Sequence, residues 1–183
     1  MRTRLNIMAH AIDRFAELTG RCIAWLTLGM VCITFAVVIL RYLFSSGSIA
    51  LQESVTYLHA MVFMLGAAYT LRHDGHVRVD IFYRKWPPRV RAWVNLVGTL
   101  LLLFPVCVFM FIASLEYVGT SWSMLEGSRE AGGLNAVFVL KTAIPAMAVM
   151  LFLQGFSLIL HSVLIISDKE AAHAAPDSPD HVL

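Results

Sequence analysis

Four long stretches of this 183-residue chain carry no Asp, Glu, Lys or Arg: residues 22–40, 54–71, 92–115 and 142–167. A hydrocarbon core about 30 Å thick needs roughly 20 apolar residues in helical form, so each stretch is long enough to cross a bilayer. Unpaired backbone groups in lipid cost several kcal/mol each, which leaves helices as the spanning form and excludes an open four-stranded sheet. Composition agrees, because 58% of residues are hydrophobic and 14% charged, against roughly 25% charged in a soluble domain. The expected fold is therefore an all-α membrane protein with four transmembrane helices, over about residues 22–43, 51–71, 92–115 and 142–166.

A cleaved leader ending at Ser48-Ile49-Ala50 is the rival for the first stretch. Its uninterrupted run is 19 residues long, whereas a leader's apolar region has about 7–15, and a long N-terminal preamble comes first. The net charge of +2 says little, but the positions of the cations set an orientation. Arg2, Arg4, Arg14 and Arg21 precede the first span; Arg72, Arg78, Arg84, Lys85, Arg89 and Arg91 lie between the second and third. The first outer loop holds Arg41, the second Arg129 and Lys141, and the tail Lys169. The two rich segments share a side, which the positive-inside rule assigns to the cytoplasm together with both termini. Trp25, Tyr42, Tyr69, Trp86 and Trp93 sit near expected span ends, as interfacial aromatics do.

Within residues 1–21, Leu5, Met8, Ile12 and Phe15 recur at spacings of three and four, with Arg4, Asp13, Arg14 and Glu17 elsewhere on the wheel. That pattern suits a cytoplasmic amphipathic helix lying in the membrane interface; an extension of the first span suits it equally. In the inner loop Asp80 can cap a short turn through Phe82 and Tyr83, and Pro87-Pro88 can open the third helix. Its six cations can grip anionic headgroups, although a solvated loop explains most of that charge. Ser128 to Gly133 has the composition of a turn in a long outer loop, residues 116–141, and residues 167–183 that of a disordered cytoplasmic tail.

Chemistry is sparse. Cys22, Cys32 and Cys107 lie in apolar stretches, and the first two are about 15 Å apart on one helix, too far to bridge. No internal repeat suggests an inverted-repeat carrier. There is no nucleophile elbow, no phosphate-cradling loop and no deep pair of carboxylates, so an enzyme is not expected. A metal site from His73, Asp74, His76 and Asp80 matches no established ligand spacing. His59 and His161 are the ionisable side chains inside the spans, with Glu53 and Glu116 at outer span ends. Two histidines raise the alternative of a haem-bearing anchor subunit of a redox enzyme, but their depths differ by roughly 15–20 Å. A self-sufficient carrier would need charged groups within the bilayer, which are missing.

Ordered motifs add a resemblance. Glu53, Leu65-Gly66-Ala67-Ala68-Tyr69, then Arg72, His76, Val79 and Asp80, resemble the small membrane subunit (Q-type, DctQ-like) of TRAP transporters, the tripartite ATP-independent periplasmic carriers. A looser likeness covers roughly residues 18–166, through Gly132-Gly133-Leu134, Lys141, Ile144-Pro145 and Leu153-Gln154-Gly155. The resemblance implies a non-catalytic scaffold subunit of a sodium-coupled secondary transporter in the bacterial inner membrane, without a cofactor. It also implies two partners, a large multi-span permease subunit and a periplasmic binding protein that delivers an organic acid. Residues matching the motif would contact the large subunit or order loops. Gly66 and Ala67 permit close helix approach, to a partner or within the bundle; Glu53 favours a helix N-terminus or serves docking. Tyr69, Arg72, His76, Val79 and Asp80 complete the set.

Overall fold

The computed structural model describes residues 2–76, 83 and 85–167. Four long helices stand out among the described residues: α1 (Arg2–Leu43), α2 (Ile49–Arg72), α3 (Pro88–Ser123) and α4 (Val137–Ser167). Each is long and apolar enough to cross a membrane, and no strand occurs among the described residues. The protein is a multi-pass membrane protein.

Helix boundaries follow local chemistry. α1 ends where Ser46 N–H returns to the Leu40 carbonyl at 3.0 Å and Ser45 takes a positive φ of 48°. Ser48 then caps α2, accepting from Leu51 N–H at 3.4 Å. Pro87 caps α3 and Pro88 occupies its first turn, where a missing N–H costs nothing. Midway, α3 widens into a π-helical turn over Thr99–Leu103, with Phe104 N–H reaching back to the Thr99 carbonyl. Pro105 follows at once; it has no N–H to continue the regular ladder, and the wide turn gives its ring room.

One boundary bears on the two alternatives the sequence left open, and one differs from the sequence expectation. α1 runs for 42 residues without a break at residues 21–22, which is the geometry of an extended first span. The outer loop expected over 116–141 is helical at both ends, leaving residues 124–136 between α3 and α4. A helix satisfies its own backbone, so nothing forces it to stop where the apolar run stops. The expected cap at Asp80 and the tail beyond Ser167 lie outside the described residues.

Contacts between helices fix their relative levels. Gly20 of α1 faces the Tyr69 ring of α2 and Gly29 faces Leu58, so these two run antiparallel. Gly155 of α4 lies against Thr99, Leu103 and Phe104, while Thr142 lies beside Trp122. At the level of Gln154, α4 is 17 residues from its start at Val137, about 26 Å. Beyond that level the first turns of α1, the Pro88–Gly98 stretch of α3 and the last turns of α4 continue together, with Ala9, Ala92 and Ser162 buried.

The buried interior is built from small side chains, among them Ala68, Ala143, Ala148, Cys107, Ser114, Ser121 and Thr99. Large apolar groups point outward: Phe35 is 66% exposed, Leu101 68% and Phe109 71%. Lipid tails are as apolar as leucine, so burial of bulk does not drive helix association in a membrane; close approach and interhelical hydrogen bonds do.

Candidate functional site

The polar groups gather at the two ends of the bundle. At one end the centre is Asp13, which the sequence placed off the apolar stripe of the first helix. Its Oδ1 accepts from Ser157 Oγ at 2.6 Å and from Gln154 Nε2 at 3.0 Å, and its Oδ2 lies 2.8 Å from His161 Nε2. A carboxylate in this setting accepts, so the proton between them belongs on Nε2. The Asp13 side chain is only 13% exposed. One turn along α1, Glu17 accepts from Arg21 Nε at 2.8 Å and Arg72 Nη1 at 2.6 Å. Arg72 Nη1 also donates to the Asp13 carbonyl at 2.8 Å. Three helices are thereby joined, α1 to α4 through Asp13 and α1 to α2 through Arg72.

At the other end the centre is the 124–136 loop. Glu53 of α2 accepts from the Ser128 hydroxyl through Oε1 and from Leu134 N–H through Oε2 at 2.7 Å. Gly133 has to be small there, because a Cβ would lie 2.8 Å from Glu53 Oε2 and would strike Ser128. Gly132 has a φ of +80°, a conformation natural to glycine. Glu126 accepts from Ser121 Oγ at 2.7 Å and Lys141 Nζ at 2.5 Å. These bonds, led by that from Lys141, hold the Glu126 carboxyl below the ordinary glutamate range. Lys141 also sits 3.8 Å above the Tyr117 ring, and Trp122 Nε1 donates to Thr142 Oγ1 at 2.8 Å.

The residues singled out in sequence separate accordingly. Glu53 joins α2 to the 124–136 loop. Arg72 turns back to α1, bonding Glu17 and the Asp13 carbonyl, and His76 is exposed where the loop after α2 begins. Tyr69 packs over Gly20 and its ring lies tilted against that of His73, with centroids 4.2 Å apart. A Cβ on Gly66 would meet nothing within 4 Å, whereas its neighbour Ala68 is buried. Ala67 is half-buried. Val79 and Asp80 lie outside the described residues. The sequence reading missed Asp13 as a structural centre. Its signal was present: Gln154, Ser157 and His161 form a polar stripe at spacings of three and four on an otherwise apolar helix, and a stripe of that kind needs a polar partner.

The polar recess beside the 124–136 loop, lined by Glu116, Tyr117, Ser121, Glu126 and Lys141 among others, holds its acid and its amine bonded to each other. The groove between α3 and α4, lined by Cys107, Phe111, Ala148 and Phe152 among others, is apolar throughout. As a class, this is a membrane-embedded helical bundle whose polar side chains brace its own helices.

Comparison with known proteins gives the particular family. The family model for the DctQ component of tripartite ATP-independent periplasmic transporters matches residues 30–164. The chain belongs to that family: it is a TRAP transporter small permease component, and not an enzyme. One curated relative is the C4-dicarboxylate TRAP transporter small permease protein DctQ of Vibrio cholerae serotype O1, 30% identical over 115 residues. The match covers 63% of this chain and 47% of that protein, so the chain spans about half the length of the curated relative it matches. No solved structure matches the chain. The haem-anchor alternative gains no support from this membership, and His161 Nε2 is already engaged by Asp13.

Proposed function

We propose that the chain is the non-catalytic scaffold of a sodium-coupled symporter that imports an organic acid. In this reading a large multi-span permease subunit holds the substrate and sodium sites. A periplasmic binding protein delivers the acid, and the present chain widens the large subunit's grip on membrane lipids. The membrane is the bacterial inner membrane, with both termini and the first turns of α1 on the cytoplasmic side, where the arginine-rich segments lie. Glu53, Gly66, Ala67, Tyr69, Arg72, His76, Val79 and Asp80 serve partner contact or loop order.

The observation that carries the reading is how the charged groups are engaged. Asp13, Glu17 and Arg72 tie α1 to α4 and α2 at one end, while Glu53, Glu126 and Lys141 brace the loop at the other. A carrier needs polar groups free to exchange protein partners for cargo; bracing groups suit a rigid support. The family name and the Vibrio cholerae relative's C4-dicarboxylate designation favour an organic acid as cargo.

The test is uptake of labelled C4-dicarboxylates and other organic acids by cells lacking this chain, the large subunit or the binding protein in turn. The reading expects each deletion to abolish sodium-dependent accumulation and complementation to restore it. Full uptake without this chain contradicts it.

A further inference from the structure

The exposed side of α2 does not suit lipid. α2 is the least apolar of the four spanning helices. Gln52, Thr56, His59 and Phe63 are all exposed, at spacings of four, three and four, and therefore share one face. Gly66 extends that face by three more positions and has open space around it. His59 lies ten residues from the start of α2 and thirteen from its end, about 15 and 20 Å, which is mid-bilayer. Its ring lies 4.8 Å from that of Phe63, a contact that uses none of its hydrogen-bonding capacity. Hydrocarbon cannot satisfy an imidazole, so ionisable groups at this depth face protein or water.

We propose that this face of α2, centred on His59 with Phe63 as a projection and Gly66 as a recess, is the seat of a transmembrane helix of the large permease subunit. The assignment rests on the scaffold reading above and adds the surface through which it operates. Its occupant carries a hydrogen-bonding side chain at the level of His59 and a bulky apolar one at the level of Gly66. Small residues and interhelical hydrogen bonds are the means by which helices associate in lipid. A second copy of this chain fits poorly. Around a twofold axis along the membrane normal, equal levels meet, so Phe63, 70% exposed, would face Phe63 and Gly66 would face Gly66. An unlike helix can offer a recess to one and a projection to the other.

Two measurements on the full chain, co-expressed with the large subunit and the binding protein, test this. A photoreactive phenylalanine analogue is placed at Thr56 or Phe63, with Val108 in the α3–α4 groove and Phe35 on α1 as comparison positions. The expected result is an adduct with the large subunit from α2 and none from Val108 or Phe35. Separately, Gly66→Leu is expected to leave thermal unfolding of the isolated chain in detergent unchanged, because the position is open, and to lower co-purified large subunit at least tenfold. Adducts from α2 with a second copy, or none with protein, overturn the assignment, as does an undiminished Gly66→Leu complex. Adducts to the large subunit only from Val108 or Phe35 overturn the face while leaving the scaffold reading intact. Failure of the unsubstituted chain to co-purify with the large subunit overturns both.

Discussion

His161 in the last turns of α4 and Asp13 in the fourth turn of α1 face each other across 148 residues of sequence, Nε2 to Oδ2, at 2.8 Å. Ser157 and Gln154 donate to the other oxygen of the same carboxylate. Asp13→Ala strands the Gln154 amide, itself only 4% exposed, and leaves the buried Ser157 hydroxyl only the Ala9 carbonyl at 3.3 Å. An unsatisfied buried donor costs about 1–3 kcal/mol. The expected outcome is a loss of about 1–3 kcal/mol in detergent unfolding, with faster amide exchange in the first four turns of α1. His161→Gln, whose amide can still donate, loses less.

Glu53 restrains the 124–136 loop. Glu53→Ala removes the acceptor for both Ser128 and Leu134 N–H, so the 124–136 loop loses its attachment to α2. Limited trypsin digestion reads this directly, since Arg129 lies inside that loop. Cleavage after Arg129 is expected to quicken at least tenfold in the variant while cleavage elsewhere is unaltered.

Glu126 gives the loop a dependence on pH. Its carboxyl titrates below its unfolded value, near 4.3 for a free glutamate, because Lys141 and Ser121 hold the charged form. A depressed carboxyl contributes its stability above the unfolded value and loses it as pH falls through the folded one. Trypsin being inactive in acid, pepsin susceptibility of the loop between pH 5 and 3 is the suitable readout. The native protein is expected to become susceptible as pH falls across that range. Glu126→Gln should be more susceptible than the native protein at pH 5 and change less, the remaining change belonging to Glu53, the second carboxylate that anchors this loop.

The α1–α2 seam tests packing independently of charge. A Cβ on Gly20 overlaps the Tyr69 ring, so Gly20→Ala forces ring and helix apart at a cost of about 1–3 kcal/mol. Gly20→Ala combined with Tyr69→Ala should recover part of the loss, measured as a double-mutant cycle.

Much of this architecture is legible in the sequence, for a physical reason. Lipid imposes a length and an apolarity on every span, and residues 22–40, 54–71, 92–115 and 142–167 meet both without any tertiary information. Pro87-Pro88 likewise announces the start of α3. The bracing contacts are another matter. Asp13 lies on the polar side of its helix whether that side meets water or Ser157, and only the register of α1 against α4 decides between them. The same holds for Arg72, whose charge belongs equally well to an inner loop or to Glu17. The π-helical turn at Thr99–Leu103 leaves no trace beyond Pro105, and its fit against Gly155 is a property of two helices together. Local pattern records what a segment needs, and pairing records who supplies it.

A scaffold supports transport without performing it. Reconstitution in sodium-loaded and sodium-free vesicles of this chain alone, of the large subunit alone, and of both with the binding protein and a labelled organic acid separates the two roles. Accumulation driven by an inward sodium gradient is expected in vesicles with the complete set, and none with this chain alone. Accumulation by vesicles that contain only this chain would contradict the scaffold role.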